Sequence, residues 1–336
     1  MSETAFAPGS IGNVGPGFDV LGLAVDGIGD TVTVELTEEA SRIEGVTGRD
    51  AELVPRDPER NCAAIAANAY LRPFGLRAIV TIHKGLALAG GMGGSAASSV
   101  AGAYAAALAH AVILSRVDRE GPPAAERAWG FSGGSFAVSA AQDDRVRAVL
   151  AAALEGEAAV AGRHLDNIAP STVGGLALSR SIDPIDVIKL PVGAEWWIAL
   201  VTPRVRIQTK EARALLPDKS DRAEWIQQMA NTTALAHAFA VADGELLRRA
   251  LDDRYAEPRR APLIPRFHDV KRAALEAGAF GCSISGSGPT LFAVAPDERT
   301  ARECAAAMEH AFGEVAGAHV GKIATEGVRR AMNDER

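Results

Sequence analysis

The sequence predicts a two-domain protein of mixed α and β class, built around a loop that binds an anion. Three observations carry this reading. At 336 residues the chain is longer than a single hydrophobic core usually serves. Strand and helix signals alternate from end to end. A glycine-dense loop, KGLALAGGMGGSAASS at residues 84–99, leads from a strand straight into an Ala-rich helix.

The elements follow in chain order. Residues 31–36 (TVTVEL) alternate β-formers at period two, as a half-buried strand does, and residues 78–83 (AIVTIH) form a second strand that feeds the glycine loop. Residues 96–113 read as a helix whose many alanines favour helix and permit close packing. Residues 196–202 (WWIALVT) and 291–295 (LFAVA) are further strands, and residues 232–252 and 299–312 are helical by their apolar spacing. Pro184, Pro191 and Gly193 interrupt the periodicity within residues 181–193, which divides the chain into domains 1–185 and 186–336. Residues 121–144, with Pro122, Pro123, Gly133 and Gly134, read as an insertion or a loop.

Composition narrows the function. Hydrophobic residues make up 48% and charged residues 23%, as in ordinary globular proteins. A net charge of −7 argues against a nucleic-acid partner, which selects a basic face. No apolar run is long enough to span a bilayer, and residues 1–7 lack a secretion signal. Cys62, Cys282 and Cys304 share no metal-type spacing and suit a reducing compartment, so a cytoplasmic location is expected.

The glycine loop carries the first chemical argument. Glycines let the backbone close round a ligand, and the first amides of the following helix have no internal partner. With the helix dipole behind them, these groups suit a phosphate; the alternative is a glycine turn that only caps a buried helix. The loop is not a Walker A sequence, because Gly94 rather than Lys precedes Ser95, and it lacks the dinucleotide glycine spacing.

Four other segments are dense in Gly, Asn, Asp and Arg. Residues 7–19 (APGSIGNVGPGFD) form a tight, exposed loop that can hold Asn13 and Asp19 towards a ligand, or use them only as turn residues. Residues 154–175 contain Glu155, Glu157, His164 and Asn167. A carboxylate and a hydroxyl suit Mg²⁺, which makes Glu155 with Ser95 the preferred pair; a solvated helix face is the plainer reading of Glu155 and Glu157. Residues 209–213 (TKEAR) and 257–265 (EPRRAPLIP) supply Thr209, Arg213 and Arg260, and arginine's planar fork matches a carboxylate. Residues 281–290 (GCSISGSGPT) form a second glycine loop around Gly286.

Together these segments resemble the GHMP kinases, and within them the homoserine kinase branch. The chain has APGSIGNVGPGFDVLG, GMGGSAA and SGSGPT in the family's order. HLDNIAPSTVGG at residues 164–175 matches the HxDNxAPxxxGG form that marks the homoserine branch. The resemblance covers roughly residues 5–295. Ala87, Met92 and Gly94 depart from the family's usual Pro, Leu and first Ser.

The resemblance implies an α+β fold with two parts. The N-terminal part is like the second domain of a small-subunit ribosomal protein, and the C-terminal part is ferredoxin-like. It implies transfer of a phosphoryl group from ATP to the side-chain hydroxyl of L-homoserine, in threonine biosynthesis. ATP is then expected on Gly90, Gly91, Met92, Gly93, Gly94, Ser95, Ala96, Ala97 and Ser98, with Asn61 near the adenine. Mg²⁺ is expected on Ser95 and Glu155, with Glu157 two positions on as the alternative ligand. Asn13 and Asp19 are expected to accept from the substrate ammonium. Arg213 and Arg260 are expected to hold its carboxylate, with His164, Thr209 and Gly286 alongside and Asn167 near the reacting hydroxyl. Rival readings are a GHMP kinase for mevalonate, a sugar or another small alcohol, and a non-catalytic sensor of the same fold. An edge strand or apolar helix face in the second domain is available for a homodimer.

Overall fold

The computed structural model describes residues 2–117 and 143–331, so most of the unassigned stretch 121–144 lies outside the described residues. The first sheet has the order β11-β1-β2-β4-β3, with a β5–β6 hairpin attached to the start of β2. Its strands are β1 (Ser2–Gly12), β2 (Leu21–Thr37), β3 (Arg42–Gly48), β4 (Arg77–Lys84), β5 (Leu176–Ile182), β6 (Ile185–Leu190) and β11 (Arg329–Arg330). Most pairs are antiparallel; β3 runs parallel to β4. The helix α2 (Gly94–Val117) packs on β1 and β2, flanked by α1 (Cys62–Leu71) and α3 (Asp144–Ala158). Its alanines keep that packing close. At Gly102 a Cβ would lie 2.4 Å from the Ala63 carbonyl oxygen, so the α1–α2 approach needs glycine there.

The second sheet, β10-β7-β9-β8, comprises β7 (Trp197–Pro203), β8 (Gly281–Ile284), β9 (Leu291–Ala295) and β10 (Val315–Lys322). With α9 (Phe267–Glu276) and α10 (Glu298–Phe312) packed together beside it, this half is the strand–helix–strand–strand–helix–strand arrangement of ferredoxin-like folds. The chain is therefore α+β, as the resemblance implied.

Two boundaries differ from the sequence reading. The division after residue 185 falls inside the β5–β6 hairpin: the first sheet runs to Leu190, and Arg329–Arg330 returns to pair with β1. The core is likewise shared, since Trp196, Phe239 and Phe292 belong to the same buried cluster as Leu23 and Val80. The helix expected over residues 232–252 is two helices, α6 (Arg222–Val241) and α7 (Gly244–Ala250). Ala242 adopts a left-handed φ of 60°, and the Asp243 carboxylate accepts the Leu246 amide to start α7.

Candidate active site

A cavity of about 340 Å³ opens where the end of β4, the start of α2, the end of α3 and the turn after β8 meet. Its floor is set by a buried ion pair. Period-two alternation in β4 turns Lys84 inward in phase with Ala78, Val80 and Ile82, directly opposite Asp30 on β2. The ammonium contacts the Asp30 carboxylate, and donates to the Ser98 hydroxyl at 2.9 Å and the Gly94 carbonyl at 3.1 Å. Asp30 also accepts the amides of Gly85 and Leu86 and the Ser98 hydroxyl. One pair thus ties down both the entry and the exit of the glycine loop.

The second half of the chain closes over that loop. Ser285 donates to the Gly91 carbonyl at 2.6 Å, and Thr290 donates to the Gly90 carbonyl. A Cβ on Gly91 would lie 2.7 Å from the carbonyl oxygens of Ser285 and Gly288, and one on Gly93 would lie 2.1 Å from the Ser10 hydroxyl. Both positions also have positive φ, so close approach and conformation together require glycine. Gly94 is different: its nearest neighbours would be at 3.5 Å, leaving ordinary room for the family's Ser. Met92, Ala96 and Ala97 are buried in the core and do not line the cavity. Asn61 lines it, but its side chain caps α1 through Ala63 and Ala64 and donates to the Pro55 carbonyl.

The carboxylate expected to hold the metal, Glu155, is not the one that faces the cavity. Glu155 lies outside the cavity, exposed and paired with Arg72 at 2.9 Å. Two residues along a helix turn a side chain by about 200°, so Glu157 faces the opposite way. It is buried in the cavity wall, in register with the apolar stripe of Val146, Leu150 and Ala153. Burial raises its pKa, opposed by the charge of His164 and a hydrogen bond from Ser95. One carboxylate oxygen, Oε2, has no partner. Among the described residues no cluster of three or more His, Cys, Asp or Glu is arranged around a metal. A buried, unpartnered carboxylate oxygen beside a hydroxyl fits Mg²⁺, which takes few protein ligands and completes its shell with phosphates and water.

The far end of the cavity holds opposite charges. The turn after β1 sets Asn13, Val14 and Asp19 at positive φ. Asn13 secures it, its side chain accepting from the Asp19 amide at 3.0 Å and donating to the Gly286 carbonyl at 2.8 Å. The turn is buried through Gly17, unlike the exposed loop expected, because β1 extends to Gly12 beneath the core. Asp19 receives both arms of Arg213, at 2.8 and 2.7 Å, from α5 (Thr209–Ala214). Arg260, on α8 (Glu257–Arg260), is buried and donates to the Gly286 carbonyl at 2.9 Å. Both guanidinium groups lie over the Phe18 ring, at 5.5 and 5.4 Å. Thr209 contacts Ser287 at 3.3 Å at the rim.

His164 and Asn167 sit between the two ends. Asn167 opens α4 (Ile168–Val173) without capping it, and instead accepts from Ser10 at 3.0 Å. The His164 Nδ1 lies 2.8 Å from Asp166, while its buried Nε2 has no partner. Burial by itself would lower the His164 pKa; the hydrogen bond and charge of Asp166, with the charges of Glu157 and Asp19, raise it to about 9. The imidazole is therefore a cation at neutral pH. Asp166, Lys84 and Asp30 were not singled out from the sequence, although the alternation of residues 78–84 does place Lys84 among buried positions.

The comparisons with known proteins agree with this architecture. Residues 235–314 match the family described as GHMP kinases C terminal. The chain is 37% identical over 323 residues to a homoserine kinase of Chlorobium phaeobacteroides (strain BS1), covering 92% of this chain and 91% of the relative. A homoserine kinase of Pyrococcus abyssi (strain GE5 / Orsay) is also 37% identical, over 94% of both chains. The crystal structure of homoserine kinase from Cytophaga hutchinsonii superposes with a TM-score of 0.82 at 36% identity, covering 98% of this chain and 97% of that one. At 12% identity and a TM-score of 0.65, L. major mevalonate kinase in complex with R-mevalonate shares the fold over 95% of this chain and 94% of that one. The chain belongs to the homoserine kinase family of the GHMP kinases.

Proposed function

We propose that this protein transfers the terminal phosphoryl group of ATP to the side-chain hydroxyl of L-homoserine, giving O-phospho-L-homoserine for threonine biosynthesis. One observation carries the proposal. A single cavity joins a glycine loop at a helix N-terminus to a carboxylate and two guanidinium groups, the complement of an α-amino acid.

Phosphoryl transfer needs alignment and charge neutralisation more than covalent help. Gly91, Gly93, Gly94 and Ser95, fixed by the Asp30–Lys84 pair below and by Ser285 and Thr290 above, would hold the phosphates at the start of α2. Ser95 and Glu157 would hold Mg²⁺, which supplies neutralisation of charge on the phosphate oxygens. Asp19 takes the substrate ammonium, while Arg213 and Arg260 take its carboxylate, fixing the direction in which the side chain extends. Asn167 then orients the hydroxyl. His164, protonated at neutral pH, adds positive charge between the two ends and is not a base.

No described helix is long and apolar enough to cross a membrane. The free thiols of Cys282 and Cys304 support a reducing compartment, consistent with cytoplasmic chemistry. The test is a coupled ADP-release assay with L-homoserine, L-threonine, L-serine and mevalonate. Turnover should be greatest with L-homoserine and absent with mevalonate. Nucleotide binding without turnover on any alcohol would favour the sensor reading instead.

A further inference from the structure

We infer that Asp19 and Arg213 form a lock across the substrate end of the cavity, which an α-amino-acid substrate opens by exchanging ion pairs. The inference rests on the amino-acid reading of that site. Without a ligand, each group already satisfies the other through a two-point contact. The capacity of Asp19 for an ammonium and of Arg213 for a carboxylate is therefore used up internally.

The two partners differ in freedom. Asp19 is fixed: its φ is 58°, its amide is held by Asn13, and the Pro16 carbonyl in the same turn accepts from Gln228 and Thr232. Arg213 stands in the last turn of a short helix and lines the cavity, with its side chain 41% exposed and its guanidinium over Phe18. Arg213 is the group that moves. Arg260, buried and held by Gly286, stays in place as a fixed cation.

Exchange makes the site select for both charges at once. A zwitterion gives Asp19 an ammonium and Arg213 a carboxylate, so no charge is left unpaired. A ligand with only an ammonium must break the lock and turn Arg213 away from its carboxylate, while one with only a carboxylate reaches Arg260 alone unless it breaks the lock as well. A plain clamp would instead lose only one contact.

The test measures equilibrium binding to the full chain of γ-hydroxybutyrate, which lacks the ammonium, and aminopropanol, which lacks the carboxylate. Asp19→Asn frees Arg213 and should bind γ-hydroxybutyrate about fivefold more tightly than the parent, the scale of a half-exposed ion pair. Arg213→Gln frees Asp19 and should show the same gain for aminopropanol. ATP affinity equal to the parent's reports an intact fold, and the two variants provide independent arms. If neither variant gains affinity while the parent phosphorylates L-homoserine, the lock is overturned and the functional reading stands. If the parent does not phosphorylate L-homoserine, the functional reading falls and the lock with it.

Discussion

Glu155 and Glu157 stand on opposite faces of α3: the first pairs with Arg72 in solvent, and the second is buried against the start of α2 with one oxygen unpartnered. The helix repeat alone separates them. Their substitutions should therefore behave differently. Glu157→Gln should lower kcat by about 100-fold or more and shift the Mg²⁺ dependence to higher concentration. Glu155→Gln should leave both unchanged. Steady-state kinetics across a Mg²⁺ titration checks this, and equal effects from the two variants would remove Glu157 from the metal site.

The pKa of His164 is raised from 6.5 to about 9 in the folded protein. A group raised in this way stabilises the fold fully below its unfolded pKa, and loses that contribution as pH rises through the folded value. The stability advantage of the parent over His164→Gln should thus be largest below about pH 6.5 and fade by about pH 9, with a ceiling of about 3 kcal/mol. Denaturant unfolding of both proteins across that range is the measurement. An advantage that grows with pH would mean that the imidazole is neutral in the fold.

The Asp30–Lys84 pair is buried on both sides. Lys84→Met should destabilise by about 3–5 kcal/mol, because it strands a buried carboxylate. The double variant Asp30→Leu/Lys84→Met should recover much of that stability. Its ATP affinity should stay low, since the amides of Gly85 and Leu86 and the Ser98 hydroxyl have lost their acceptor. Urea unfolding and nucleotide titration together separate the stability role from the positioning role.

Arg260 presents a planar fork that one Gly286 contact and the Phe18 ring hold in place. Arg260→Lys keeps the charge but loses the fork, and should raise KM for L-homoserine by about tenfold while leaving KM for ATP unchanged. A rise in both constants would point to a collapsed cavity rather than to a lost carboxylate contact.

The motifs made much of this site legible because they encode backbone geometry. Gly91 and Gly93 are where they are because no Cβ fits, and Asn13 is needed to lock a turn. What escaped the sequence depends on orientation and on long-range pairing. The choice between Glu155 and Glu157 needed the phase of a helix, available in principle from Val146, Leu150 and Ala153. Asp30 and Lys84 are 54 residues apart, and only strand register makes them neighbours. The break at Ala242 follows a long helical run, and the dipeptide Asp243-Gly244, a cap followed by a helix breaker, was its local signal. The lock between Asp19 and Arg213 joins residues 194 apart that the sequence reading assigned separately to the substrate.

The most direct test is the identity of the product formed from ATP and L-homoserine, read by phosphorus NMR and mass spectrometry. One phosphate ester on the side-chain hydroxyl is expected, formed in step with ADP and slowed about 100-fold or more by Glu157→Gln. Free phosphate with unchanged homoserine, or a phosphoryl group on the α-carboxylate, would contradict it.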